Sequence, residues 1–153
     1  MIEHVWTVIC SRVVIDKDSN NASIQNVLEQ INLSSPPGKK QVLNMPWEAI
    51  SFFVRTQPDE PVKGKCRFRL IGPSGKEYFV LEDEVDLTNY ERVRKIIRFG
   101  NLNIEELGYQ HFQVELLEED SNWNRVANVP LNILCDEQDV KDDQAELESA
   151  SNT

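Results

Sequence analysis

Apolar and polar residues alternate along several short runs of the chain, a pattern typical of strands that bury one face. In the clearest run, Cys66, Phe68 and Leu70 share one face, and Arg67 and Arg69 share the other. The apolar faces of later runs are Phe79, Leu81, Val85 and Leu87; Val93, Ile97 and Phe99; Phe112, Val114 and Leu116; and Val129, Leu131 and Ile133.

Turn-forming residues separate these runs, so the pattern predicts an all-β fold. Asp83 and Lys95 are charged exceptions on two of the apolar faces. Pro130 cannot donate a ladder hydrogen bond, which predicts that the last strand is an edge strand. We expect an antiparallel β-sandwich of about eight strands, immunoglobulin-like or C2-like, with a closed barrel as the alternative. The predicted strands cover residues 4–15, 23–33, 49–56, 66–71, 77–87, 93–99, 110–117 and 123–134.

Charge divides the chain into two parts. Residues 1–135 are predicted to form one soluble β-sandwich domain. Residues 136–153 are predicted to be a disordered acidic tail, because seven acids, one lysine and few apolar residues occur there. The tail carries −6 of the net charge of −10, which leaves −4 on the domain. A domain of that charge is not expected to bind nucleic acid.

The first residues and the cysteines bear on the compartment. Residues 1–4 lack the basic start of a secretory signal, and no run reaches the ~18 apolar residues of a membrane span. The three cysteines are widely spaced, which indicates neither a zinc site nor a redox pair. Cys10 and Cys66 are expected to be buried free thiols. A cytoplasmic protein without a membrane partner is the expectation.

The chain resembles a bacterial family of small, uncharacterised β-sandwich proteins. The resemblance covers residues 4–134 and is carried by VICSRVVID, DKDSNNAS and IQNVLEQI, then by IGPSGK and finally by VPLNI. It implies a sandwich fold and no catalytic residues. A second likeness is to immunoglobulin-type folds, in which a tyrosine corner precedes the penultimate strand. Here the tyrosine position falls on Gln110 and the paired cysteine position falls on Phe112.

No motif in the sequence indicates catalysis. The two histidines, His4 and His111, are not accompanied by a G-x-S-x-G serine motif. Glycine is never spaced as in a phosphate-binding loop. The chain is therefore expected not to be an enzyme and to need no cofactor.

Acidic loops suggest a possible metal site. If consecutive strands run antiparallel, loops 16–21, 57–63, 87–91 and 118–122 gather at one end of the sandwich. Carboxylate oxygens are the ligands that calcium prefers, and C2-type sandwiches hold calcium in such loops. The candidate ligands are Asp16, Asp18, Asp59 and Asp120.

Charges also alternate between predicted strands. Arginines of the fourth and sixth predicted strands would flank the acids of the fifth if the three strands are neighbours. The pattern predicts a cross-strand ladder of ion pairs, each contributing about 0.2–1 kcal/mol. A basic surface for a polyanion is the alternative. The residues are Arg67 and Arg69, then Glu82, Glu84 and Asp86, then Arg92, Arg94 and Arg98.

These observations favour a non-enzymatic protein-interaction module with an unidentified protein partner. The alternative is a calcium- or ligand-binding sandwich that uses the acidic loop end. The edge of the last strand, at residues 123–128, could pair with a strand of the partner. Trp123 is the candidate anchor for that partner, because tryptophan is enriched in binding hot spots. The alternative role for Trp123 is packing against the rim of the sandwich.

Overall fold

The alternating runs form the strands of two facing sheets. The computed structural model describes residues 1–33, 42–43 and 45–135, and no helix occurs among them. In chain order the strands are β1 (Ile2–Ile15), β2 (Ala22–Val27), β3 (Gln30–Leu33), β4 (Val42–Leu43), β5 (Trp47–Arg55), β6 (Lys63–Ile71), β7 (Glu77–Asp86), β8 (Arg92–Phe99), β9 (Leu102–Asn103), β10 (Gly108–Leu117) and β11 (Trp123–Cys135).

The sheets stack as a sandwich, which confirms the predicted all-β fold. The four-stranded sheet has the order β2-β1-β5-β8, and the five-stranded sheet has the order β3-β11-β10-β6-β7. Strands β4 and β9 form a separate small ladder. The neighbouring pairs are antiparallel except that β3 runs parallel to β11.

The main core lies between the two sheets. Phe68, Phe112 and Leu131 are fully buried there, as the alternation predicts. The rings of Phe68 and Phe112 stack with centroids 6.2 Å apart. Cys10 and Cys66 are buried and free, also as predicted. Burial raises the pKa of Cys66 to about 12 and also raises that of Cys10, so both remain thiols at neutral pH.

The second predicted strand, 23–33, is in fact two strands that belong to different sheets. Strand β2 pairs with β1 in one sheet, and β3 pairs with β11 in the other. Residues 28–29 cross between the sheets: Leu28 N donates to Ile9 O (2.8 Å), and Asn132 N donates to Glu29 O (3.0 Å). We call this lateral side of the sandwich the crossover side.

The hairpin of β1 and β2 covers the outer face of the four-stranded sheet. Strand β1 pairs with β5 only up to Cys10, and its second half pairs with β2 instead. Cys10, Val13 and Ile50 form a second, smaller core beneath this hairpin. Strand β1 therefore curls away from β5 after Cys10. This curl of β1 explains why both faces of the first strand are apolar in sequence.

Two predictions concern the end of the described residues. The predicted disordered acidic tail, residues 136–153, lies outside them. The predicted domain boundary at residue 135 coincides with the last described residue, Cys135. Within the described ranges, no helix is long and apolar enough to cross a bilayer.

Candidate functional site

The four aspartates predicted to bind calcium lie in two different places. The turn at 16–21 rests on the outer face of the four-stranded sheet, where Arg94 Nη2 donates to Asn20 O (2.7 Å) and Oδ1 (2.8 Å). The loops that hold Asp59 and Asp120 follow β5 and β10 at the end of the sandwich where the chain starts. The curl of β1 causes this separation, because it carries the first turn away from the strand ends.

Local hydrogen bonds already occupy two of these carboxylates. Asp16 Oδ1 accepts from the Ser19 amide (2.6 Å) and hydroxyl (2.8 Å), and these bonds lower the pKa of Asp16. Asp120 accepts from Asn122, with the same effect on its pKa. Among the described residues, no group of three or more His, Cys, Asp or Glu is placed to hold a metal ion. Asp16 and Asp18 therefore lie apart from Asp59 and Asp120, and calcium binding by these carboxylates stays a prediction.

Gln110 acts as a corner residue at the start of β10. Its side chain is fully buried, and Nε2 donates to Glu106 O (3.0 Å) and Gly108 O (3.4 Å). A tyrosine corner makes the same kind of bond to the backbone a few residues upstream. Gly108 adopts φ +100°, which favours glycine at this bend.

Glu106 fastens the 72–75 turn to this corner. Its carboxylate accepts from the Ser74 amide (3.1 Å) and from the Tyr78 hydroxyl (2.8 Å), which lowers the pKa of Glu106. A Cβ atom at Gly72 would meet Glu106 Oε2, so a larger residue there would displace this carboxylate. This end of the sandwich is therefore held by structural bonds.

The predicted ladder of ion pairs forms only in part, because its arginines contact carboxylates other than the predicted ones. Strands β6 and β7 are neighbours, as the ladder requires, but β8 lies in the other sheet, so its arginines do not join it. Arg69 Nε donates to Glu77 of β7 (2.6 Å), and Glu115 of β10 accepts from Arg67 Nε (2.6 Å) and from Arg69 Nη1 (3.4 Å). Glu115 is buried beneath them, with 7 % of its surface exposed.

Trp123 packs beside this ion-pair group. The guanidinium carbon of Arg67 lies 4.4 Å from the centroid of the indole ring, which is a cation–π contact. Trp123 pairs with Leu117 at the start of β11. Its half-buried ring therefore lies at the end of the sandwich that also holds Asp120.

The charged exceptions on the two apolar faces contact each other. Lys95 of β8 points inward from one sheet, and Asp83 of β7 points inward from the other. Lys95 Nζ lies 2.8 Å from Asp83 Oδ2, so one ion pair joins the two sheets at this side. Each charge on an apolar face therefore has its partner across the sandwich.

A cleft of about 910 Å³ opens on the crossover side, below residues 28–29. It lies between the first residues of β1 and the first half of β11. Its apolar lining includes Ile2, Val62, Leu116 and Val126, and its charged lining includes Glu3, Lys63, Lys65, Glu118, Glu119 and Asp120.

The first half of β11 has backbone groups directed away from β10. Because Asn132 N donates outward to Glu29, alternation directs the amide of Asn128 and the nitrogen of Pro130 outward too. Strand β3 pairs with β11 only at 132–135. Among the described residues, no strand pairs with 123–131 on this outward side, which we call the β11 edge.

The predicted edge strand is therefore correct for the first half of β11 and wrong for its last residues. The nitrogen of Pro130 is directed away from β10, so its missing proton removes no hydrogen bond between β10 and β11. Val126 is bulged, because Val114 pairs with Ala127 while the next residue pairs with Arg125. Such bulges commonly mark a strand at the edge of a sheet.

A short row of polar side chains lies behind the cleft. His4 Nε2 shares a hydrogen bond with Thr7 Oγ1 (2.7 Å), which in turn is 2.7 Å from Ser51 Oγ. Desolvation lowers the pKa of His4, so its ring is neutral at pH 7. Ser51 is 1 % exposed, so this row is a satisfied polar part of the core.

The sequence did not reveal the cleft, because its lining comes from four separate strands and loops. The signal that could have revealed it is the pair Leu28-Glu29, where a single apolar run crosses between the sheets. Comparison of the sequence with protein-family models and with curated proteins finds no match. The resemblance to the bacterial sandwich family thus stays a prediction.

Proposed function

We propose that this protein is a non-enzymatic interaction module that binds an extended segment of a partner protein along the β11 edge. The observation that carries the proposal is the outward-directed backbone of residues 123–131, beside a cleft of about 910 Å³. An added strand satisfies such backbone groups and places alternate side chains in the neighbouring cleft. The bound segment becomes a further strand of the five-stranded sheet.

The lining of the cleft supports a segment with alternating apolar residues. Leu116 and Val126 are partly buried and continuous with the main core. Apolar side chains of the partner that point inward would cover them, and burial of apolar surface contributes about 25 cal/mol per Å² before ordering costs. Side chains at the intervening positions remain at the surface.

The charges around the cleft favour a basic segment. Glu118, Glu119 and Asp120 are exposed at the rim together with Glu3. Lys63 lies 2.7 Å from Asp86 and is compensated by it, which leaves Lys65 as the other lysine of the lining. Lysine or arginine in the partner would complement this rim and accelerate its association.

A selection for binding peptides tests the proposal. A displayed library of random peptides is panned against the wild-type chain, and the recovered peptides are titrated against two variants of one edge residue. Asn128→Pro removes the outward amide donor, whereas Asn128→Ala keeps it. We expect peptides rich in Lys and Arg that bind wild type and Asn128→Ala alike and bind Asn128→Pro at least about tenfold more weakly.

Equal binding to both variants would move the site away from the β11 edge and contradict the proposal. Failure to recover any binding peptide would also contradict it. Melting temperatures of the two variants show that each remains folded.

Trp123 is proposed as an anchor of the bound segment, because it begins the β11 edge and keeps part of its ring exposed. Trp123→Ala should weaken peptide binding while leaving the melting temperature unchanged. A lowered melting temperature would show instead that the contact with Arg67 is the role of the indole ring.

Calcium or ligand binding at the acidic loop end stays the second proposal. Asp59 and Asp120 lie at the same end of the sandwich as the cleft, and Asp120 lines it. Calorimetric titration with calcium, repeated on Asp120→Asn, tests it. Absence of heat, or equal heat from both proteins, would reject a site that uses Asp120.

A further inference from the structure

The two strands on the side opposite the crossover carry charges of opposite sign. Strand β7 contains five acids and no base, and strand β8 contains four bases and no acid. In the described part of the chain, each is the end strand of its sheet. We call this pair of edges the charged side. Its charges are Glu77, Glu82, Asp83, Glu84 and Asp86 on β7, and Arg92, Arg94, Lys95 and Arg98 on β8.

We propose that the charged side is the interface of a two-fold symmetric dimer of this chain. In that dimer, β8 of each copy pairs with β7 of the other, and both pairings form at once. Each sheet of one copy then continues into the other sheet of the second copy. The proposal concerns a surface separate from the β11 edge.

Chain direction permits this pairing. The 87–91 connection reverses the chain between β7 and β8, so the two strands run in opposite directions on the same side of the sandwich. A two-fold axis parallel to the strands places β8 beside β7 of the second copy without changing their relative direction. The resulting pairs are antiparallel, which is the arrangement of both strands in their own sheets.

The register can be read from the ion pair within each copy. Lys95 and Asp83 lie level, 2.8 Å apart. A rotation about the two-fold axis leaves the height of each residue along the strands unchanged. Arg94 therefore faces Glu84 of the second copy, and Arg92 faces its Asp86. On the inward face, the same register places Ile97 opposite Leu81.

Exposed apolar surface at the same place supports an interface. Val80 and Leu81 are 51 % and 39 % exposed, although they lie within a strand. Pairing with β8 of a second copy covers both. The outer faces of the two sheets also become continuous, and the opposite charges of Arg92, Arg94, Glu84 and Asp86 adjoin at one end of the seam.

Protection of the edges against aggregation is the competing explanation for these charges. That explanation accounts for charge at an edge but does not predict that one edge carries acids and the other carries bases. The outer strands β2 and β3 at the other side of the sheets contain no charged residue. Charge is concentrated in the two strands that would meet, and its sign differs between them.

The intramolecular contacts of these charges leave room for a partner. Arg94 contacts Asn20, which is uncharged, so no carboxylate neutralises its guanidinium there. The side chain of Glu84 is 59 % exposed and lies 3.6 Å from Lys63. Arg92 and Glu82 are exposed as well.

Sedimentation velocity over a range of concentrations, with the wild-type chain at low and high salt, is the first measurement. We expect a dimer at low salt that dissociates as salt rises, because exposed ion pairs are screened. A monomer at every concentration and salt overturns the proposal. Hydrogen exchange then compares dilute and concentrated protein, and the amides of β7 and β8 should gain protection.

Charge reversal decides which strands pair. Arg92→Glu with Arg94→Glu places acids opposite Glu84 and Asp86 of the second copy, and Glu84→Lys with Asp86→Lys places bases opposite its Arg94 and Arg92. Each double variant alone should dimerise at least about tenfold more weakly, because like charges then face each other. Mixing the two should restore a heterodimer, and combining all four changes in one chain should restore the homodimer.

A control matched to the arginine variant carries the same change of net charge on other strands. Arg12→Glu with Arg125→Glu alters exposed residues of β1 and β11, and the dimer should persist. Loss of the dimer in this control, its persistence in either edge variant, or failure of the mixture to associate would overturn the proposal. Circular dichroism shows that each variant is folded, and the exchange measurement on wild type does not depend on any variant.

Discussion

On the crossover side the chain passes between the two sheets at the middle of their edges, whereas on the charged side it passes at one end, through residues 87–91, and a side-chain ion pair joins the edges beyond that connection. On the crossover side, residues 28–29 bond to both Ile9 and Asn132. On the charged side, Lys95 contacts Asp83. A continuous chain with buried apolar neighbours resists separation more strongly than one partly exposed ion pair.

The difference also separates the two proposed interactions. The crossover side is fixed at its middle, so a cleft remains only below it, and a single added strand can enter there. On the charged side the chain crosses between the sheets only at one end, through residues 87–91, and the outward edges of β7 and β8 are unpaired in the described part of the chain. The first geometry suits a peptide segment, and the second suits a symmetric copy.

The largest expected effect is on the crossover side. Ile31 lies in β3, is 5 % exposed and faces the main core. We expect Ile31→Ala to lower the free energy of unfolding by about 2–5 kcal/mol, because it removes buried methyl groups and leaves a cavity. Urea denaturation measures this change.

The adjacent residue is the matched control. Gln30 is exposed and lies on the other face of β3. Gln30→Ala should change the free energy of unfolding by no more than about 0.5 kcal/mol. An equal effect of both substitutions would show that β3 does not hold the crossover side through its apolar face.

A smaller effect is expected on the charged side. The side chains of Lys95 and Asp83 are 21 % and 41 % exposed, so solvent screens their attraction. We expect Lys95→Met to change the free energy of unfolding by less than about 1 kcal/mol, because Met retains the apolar stem and loses only a screened pair. The same urea titration checks it.

If Lys95→Met lowered the free energy of unfolding as much as Ile31→Ala does, the ion pair would hold the sheets together as firmly as the crossover. Asp83→Asn tests the pair from its other member and should give an equally small change. Agreement of the two variants would assign the effect to their shared contact.

Period-two alternation correctly predicted the buried faces of β6, β8 and β10, because one face of each contacts the core. It failed where one run serves two sheets, at 23–33. Nothing in that apolar pattern distinguishes a continuous strand from two strands, since the break depends on bonds to Ile9 and Asn132 far away in the chain. Asn26, with φ +50°, is the local trace of the break.

The candidate site was predicted less well than the fold. The grouping of Asp16 with Asp59 assumed that each strand ends at its sheet boundary, and the curl of β1 violates that assumption. Pro130 was informative because a missing donor restricts position directly. Asp83 and Lys95 were visible as exceptions, but their pairing depends on how the sheets face each other.

The smallest expected effect is a difference in pH response between the two sides. Desolvation lowers the pKa of His4 on the crossover side below its ordinary value of 6.5. The unfolded chain therefore binds this proton more readily than the folded chain. Stability from neutral His4 is complete above about pH 6.5 and declines as the pH falls below that value.

On the charged side, the hydrogen bond from Lys63 lowers the pKa of Asp86 to about 2 from the ordinary value of 3.8. Its contribution is therefore present above about pH 3.8 and is lost only as the pH falls through 2. Between pH 7 and pH 5 the contribution of His4 to stability should change and that of Asp86 should not, because only His4 titrates in this interval. Thermal unfolding of wild type and of His4→Gln at both pH values isolates the histidine.

On acidification from pH 7 to pH 5, the melting temperature of wild type should fall slightly further than that of His4→Gln. Only wild type carries the imidazole beside Phe53 and Thr7. The reverse order, or identical losses, would show that protonation of His4 is equally easy in the folded and unfolded chains. Asp86→Asn serves as the matched variant, since its melting temperature should fall between pH 7 and pH 5 by as much as that of wild type. A larger difference for Asp86→Asn than for His4→Gln would make the charged side, rather than the crossover side, the pH-sensitive one.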